Sequence, residues 1–289
     1  MSTTHNPIVA FTTPENYAAR LSRLLALNSL TPLWCPTITT KPTPQALVHH
    51  LAPNSLTGFS ALAFPSRTAI SAVTAASLSL PTPLLPPSGD KFIVAALGKD
   101  AELINEEFLR RFCGDNEKVR VLVPPTATPA DMVRCLGEGF GRRVLCPVPR
   151  VVGLTEPPVV PGFIRELEES GWVPVRVDAY ETRWSGPKCA RTIVERREKG
   201  LDAVVFTSIG EVEGLLKSLV ELGWDWETVR RVWPRLVVAA HGPVTAAGAE
   251  SLGVDVDVVN GRFDSFGGVA EAVGFKLRSL KSSCLRKCL

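Results

Sequence analysis

The stretch "RLVVAAHGPVTAAGAESLG" (235–253) decides how this chain is built. Its apolar, Val-rich opening (235–240) reads as a strand covered on both faces. Gly242-Pro243 breaks the strand, and proline at this point suits the first position of a helix. The small residues that follow continue as that helix. A strand that runs into a helix N-terminus exposes backbone N–H groups that suit an anion. Thr245 adds a hydroxyl beside them. Gly242 and Thr245 are therefore candidate binding residues. A helix cap serving only the fold is the alternative for Thr245.

The same unit recurs along the chain. Strand-like runs fall at 8–11 (IVAF), 61–64 (ALAF), 92–97 (FIVAAL), 119–123 (VRVLV), 143–148 (RVLCPV), 172–181 (WVPVRVDAYE), 202–208 (DAVVFTS), 235–240 and 254–259 (VDVDVV). Helical patterns lie between them. "TPENYAARLSRLLALNSL" places Thr13 as N-cap and Pro14 at the first helical position, with Tyr17, Leu21, Leu24 and Leu25 on one stripe. "GEVEGLLKSLVELG" stops at Gly223. Ser265 reads as the cap of the last helix. This alternation predicts an α/β fold with parallel sheets flanked by helices.

The chain also echoes itself. "ALAFPSRTAISAV" and "AVVFTSIGEVEGLL" share strand–Phe–x–Ser–helix, and "FIVAALGKDAELI" and "VVAAHGPVTAAGA" share strand–Gly–helix. The pairs occur in the same order, about one domain length apart. Two similar domains follow: 1–31 plus 184–289 as one, discontinuous, and 44–173 as the other. The long strand around Tyr180 outreaches one sheet, and the Pro-rich segment 32–44 can pair with it. Residues 32–43 and 174–183 are thus expected as a two-stranded linker between the domains.

Composition narrows the function. Net charge is +3, but the tail 276–289 carries five Lys or Arg and no acid, so the body is near neutral. That argues against a broad nucleic-acid footprint. The tail itself reads as a solvated, frayed terminus. "WDWETVRRVW" reads as a packed amphipathic helix rather than an aromatic–basic nucleic-acid surface. The seven cysteines include no CxxC pair, and the four histidines form no metal-ligand spacing, so no metal site is expected and reduced thiols fit best. "GEGFG" (137–141) follows a helix and precedes a strand, the wrong context for a nucleotide loop. No apolar run reaches the ~18 residues of a membrane span. The expected protein is soluble and intracellular, cytoplasmic or plastid after removal of a leader.

Five stretches resemble one family, uroporphyrinogen-III synthase. "VAFTTPENYAARLSRLLALNSLTPLWCPTI" is similar to its opening strand, helix and Pro-containing connector. "LAFPSRTAISAV" and "VVFTSIGEVEGLL" resemble its two strand–Ser–helix units. "VPVRVDAYET" resembles its linker strand with its tyrosine, and "AAHGPVTAAGAESLGVDVDVV" its last Gly-Pro-x-Thr unit and following strand. The resemblance spans residues 8–275. The chain departs from the family pattern at Thr13, where Arg is frequent, at Ala101, which replaces a hydroxyl, and at His241, where an apolar residue is usual.

The resemblance implies a cofactor-free lyase. It converts linear hydroxymethylbilane with loss of water, inversion of ring D through a spiro intermediate, and closure of the macrocycle. Such catalysis is mainly positioning and charge stabilisation of a carboxylate-rich substrate in an inter-domain cleft. Tyr180 matches the linker tyrosine, either donating a proton to the leaving hydroxyl or packing as a strand aromatic. Ser66, Ser208 and Thr245 would bind substrate carboxylates through hydroxyls and nearby amides, with helix capping as the alternative. Arg67 would pair with a carboxylate, and Thr12 would line the cleft. A monomer is expected, with no nucleic-acid or membrane partner and a possible contact with the preceding pathway enzyme. Two rivals remain open: an inactive relative that binds an anionic tetrapyrrole or another small acid, and a nucleotide-dependent α/β enzyme.

Overall fold

The Val-rich runs form strands because parallel neighbours and flanking helices cover both of their faces. In the computed structural model the chain opens with β1 (Ile8–Phe11), α1 (Glu15–Leu27), β2 (Thr31–Trp34) and β3 (Ile38–Pro42). Next come α2 (Pro44–Leu51), α3 (Pro53–Leu56), β4 (Ala61–Phe64), α4 (Arg67–Ser77), β5 (Phe92–Ala96), a 3-10 helix (Gly98–Leu103), α5 (Glu106–Phe112) and β6 (Val119–Leu122). Then α6 (Pro129–Leu136), β7 (Arg143–Val152), α7 (Val159–Glu169), β8 (Val173–Trp184), a second 3-10 helix (Pro187–Ala190) and α8 (Arg191–Val194) follow. The chain ends with β9 (Ala203–Phe206), α9 (Ile209–Glu221), α10 (Trp226–Val232), β10 (Val237–Ala240), α11 (Pro243–Ser251), β11 (Val258–Val259) and α12 (Phe266–Lys287). The structure describes residues 6–87, 89–114, 118–260 and 266–287, without the side chains of residue 54 and of 281–287. Ser265 lies outside the described residues.

The chain divides into two compact units. One comprises Met1–Thr39, Gly153–Thr155 and Arg183–Leu289; the other comprises Thr40–Val152 and Glu156–Thr182. The first holds a five-stranded sheet, β11-β10-β9-β1-β2, and each pairing in it is parallel. Its centre is dry: Ala203, Val204, Val205 and Phe206 are each at most 1% exposed. Register aligns Phe11 with Val205 and Trp34, and Ala240 with Phe206. The residues that follow these strands, Thr12, Thr207 and His241, therefore stand along one edge.

The second unit holds a six-stranded sheet, β3-β8-β7-β4-β5-β6, with β7, β4, β5 and β6 parallel. Without β3 its order matches the first sheet: β8-β7-β4-β5-β6 corresponds to β2-β1-β9-β10-β11. The two echoed units, β4–α4 and β9–α9, occupy corresponding places. Their serines adopt nearly one conformation, with φ −159° and ψ 156° at Ser66 and φ −150° and ψ 160° at Ser208.

Several expectations need correction. Residues 32–34, expected in a linker, belong to β2 and pair with β1. The run 254–259 shortens to the two residues of β11, because the Asp257 carboxylate takes the Val238 N–H at 2.9 Å where a strand carbonyl would. The second strand–Gly–helix echo is looser than its sequence: β5 leads into a 3-10 helix, β10 into an α-helix. Thr13 does not cap α1. Pro14 holds the cap position, in extended conformation and with no side-chain cap bond. The tail is helical through Lys287 rather than frayed from residue 276. As expected, and needing no correction, "GEGFG" is a helix stop and turn, with Gly137 at φ +69° and Gly141 at φ +76°.

Candidate functional site

In parallel α/β sheets ligands bind beyond the carboxyl ends of the strands. Both units place candidate residues there, and each unit is described by itself.

In the second unit, Ser66 follows β4 and caps α4, its Oγ accepting the Ala69 N–H at 3.3 Å. The same Oγ lies 2.9 Å from the hydroxyl of Tyr180 on β8. The Tyr180 ring is 6% exposed and packs in an apolar cluster with Phe64, Val177 and Ala179. Burial pushes its phenol up to about 12; the Ser66 hydrogen bond opposes the shift, and the negative charge of Asp100 adds to it. The phenol thus keeps its proton throughout the neutral range. Arg67, the first residue of α4, stands 4.0 Å from Asp100 in the 3-10 helix after β5. Both are partly exposed, so the pair is weakly held and Arg67 can exchange Asp100 for another carboxylate. Tyr180, Ser66 and Arg67 are therefore brought together. Asp100 joins them and was not singled out from sequence.

In the first unit, Gly242 is the N-cap of α11 and supplies no side-chain cap, and Pro243 contributes no N–H. The amides of Val244 and Thr245, in the first turn, have no acceptor within the helix. Thr245 is 7% exposed and donates its hydroxyl to the Thr207 carbonyl at 3.2 Å. Gly248 lets α11 lie against α9, since a Cβ there would fall 2.3 Å from Cγ1 of Ile209. That contact accounts for the glycine at 248.

Thr12 and Ser208 turn away from the role expected of them. Thr12 is fully buried, and its Oγ1 donates to Glu211 Oε2 at 2.7 Å, which withdraws it from any surface. Ser208 makes no side-chain cap; its hydroxyl donates to Glu211 Oε1 at 3.3 Å. Glu211 is the residue that sequence reasoning missed. It is 1% exposed, and burial raises its carboxyl above the usual range, against four donors that pull it down. The signal was present as Ser-x-x-Glu at a helix start, the capping-box pattern.

Comparison with known proteins settles the family. The family model described as "Uroporphyrinogen-III synthase HemD" matches residues 19–270. The chain belongs to the uroporphyrinogen-III synthase family. That places it among cyclising lyases of tetrapyrrole biosynthesis, as the resemblance implied. Solved structures agree on the fold. A mutant uroporphyrinogen III synthase from the extremely thermophilic bacterium Thermus thermophilus is 20% identical with a TM-score of 0.59, over 96% of this chain and 99% of that one. The uroporphyrinogen-III synthetase of Helicobacter pylori is 16% identical with a TM-score of 0.51, over 95% and 99%. No curated protein matches the sequence. Among the described residues, no helix is long and apolar enough to cross a membrane.

Proposed function

We propose that the chain acts on hydroxymethylbilane through the Tyr180–Ser66 pair. Family membership supplies the reaction, and the 2.9 Å contact between the two hydroxyls is the observation that carries the assignment of roles. The C–O bond of the hydroxymethyl group breaks, and the hydroxyl leaves with one proton as water. Tyr180 supplies that proton. A phenol near 12 is a poor acid toward solvent. Hydroxide is the conjugate base of water at ~15.7, so transfer to the departing hydroxyl is downhill. Ser66 fixes the phenol's direction, and the proton that the substrate releases when the macrocycle closes restores the phenol.

Arg67 and the α11 N-terminus at Gly242–Thr245 hold substrate carboxylates. Arg67 offers a guanidinium fork and α11 a pair of first-turn amides. The protein works as a monomer on a free small molecule, in the cytoplasm or in a plastid. Comparison of wild type with Tyr180→Phe on hydroxymethylbilane generated in situ tests the assignment. A large fall in kcat with a melting temperature shifted by only a few degrees supports it; unchanged kcat removes Tyr180 from the chemistry.

A further inference from the structure

Glu211 occupies a site that a plain helix cap does not require. Its Oε2 accepts the hydroxyl of Thr12 at 2.7 Å and the N–H of Thr207 at 2.9 Å. Its Oε1 accepts the hydroxyl of Thr207 at 2.5 Å and that of Ser208 at 3.3 Å. Its backbone carbonyl accepts the hydroxyl of Thr37 at 2.8 Å. One residue thus ties the ends of β1 and β9, and the segment after β2, to the first turn of α9. All four donors to the carboxyl are neutral, and no cation shares the site among the described hydrogen bonds and ion pairs. A buried carboxyl without a cation is costly unless its hydrogen bonds are complete.

The network reaches further through one residue. Thr207 gives Glu211 both its N–H and its hydroxyl, and its carbonyl accepts the hydroxyl of Thr245. The orientation of Thr207 is therefore fixed from one side, and the Thr245 hydroxyl is fixed by Thr207. We infer that Glu211 is a positioning residue: it sets Thr207, and through Thr207 it holds Thr245 and the α11 N-terminus ready for a substrate carboxylate. The functional half of this inference rests on the proposed role of Thr245; the mechanical half does not.

Glu211→Gln keeps the shape but has one acceptor oxygen for four donors. Two measurements on the folded variant, with its melting temperature recorded, test the inference. The first is amide hydrogen exchange of peptides covering 243–251, with peptides covering 266–277 as the internal reference. Faster exchange confined to 243–251 is expected; unchanged exchange there would overturn the coupling, whether or not the wild type cyclises hydroxymethylbilane. The second is steady-state kinetics of the wild type, Glu211→Gln, Thr245→Ala and the double variant. The expected result is a KM raised about tenfold in each variant with kcat within about twofold, and a double variant no worse than Thr245→Ala alone. A Glu211→Gln effect on KM that multiplies with that of Thr245→Ala, or that is absent, would overturn the positioning role. Glu211→Asp keeps the charge, and partial recovery of KM in it would separate acceptor capacity from mere bulk. A wild type that fails to cyclise would refute the proposed function and leave the exchange result to decide the coupling.

Discussion

The hydroxyl of Tyr180 lies 2.9 Å from Oγ of Ser66, although 114 residues separate them in sequence. The ring sits in the apolar core of its unit and only the oxygen reaches the strand ends. The ring thus serves packing, and the oxygen at the other end is free for the role proposed for it. Tyr180→Phe keeps nearly all of the packing, so it should lower kcat by about 10²–10⁴ while shifting stability by about 1 kcal/mol. Chemical melts alongside turnover measurements check both halves.

Titration isolates the phenol directly. The chain has two tyrosines, Tyr17 and Tyr180. Phenolate absorbance lost in Tyr180→Phe should develop only near pH 12. A raised pKa favours the native state below the unfolded value of 10 and withdraws that support as pH climbs toward 12. Wild type should therefore lose roughly 2–3 kcal/mol relative to Tyr180→Phe across that window. A phenolate signal that titrates near 10 would refute the buried environment.

At α11, Thr245→Ala should weaken binding of the carboxylate-rich product about tenfold. Thr245→Ser keeps the hydroxyl and should retain affinity. Equal stability loss in both with unchanged affinity would return Thr245 to a structural role. Calorimetric titration with uroporphyrinogen III distinguishes the outcomes.

Close backbone approach can be tested at Gly214 on α9. A Cβ there would stand 2.7 Å from the carbonyl oxygen of Thr37. Backbone cannot step aside as a flexible side chain can. Gly214→Ala should destabilise by about 1–3 kcal/mol in denaturant melts. Gly162→Ala has open space in α7 and should be neutral or stabilising.

Legibility followed the range of each interaction. The strand–Ser–helix units were readable because an N-cap is settled within four residues, and Ser66 caps as its sequence suggests. Gly242 and Pro243 were readable for the same reason. The Glu211 pattern was readable as a cap, but its bond to Thr12 spans 199 residues, and no local rule foretells it. The same bond explains why Thr12 lines no surface. Asp100 was passed over because only the fold of β5 brings it to Arg67. Alternation at 254–259 suggested a full strand, but the Asp257 side chain substitutes for a strand carbonyl, a choice that periodicity cannot show.

The most direct measurement is the isomer composition of the product. Hydroxymethylbilane is generated in situ, the purified full chain is added, products are oxidised, and the uroporphyrin isomers are separated by chromatography. Uroporphyrin III as the dominant isomer is the predicted result. Isomer I alone, from a chain shown to be folded, would contradict the proposed activity and leave the fold without its reaction.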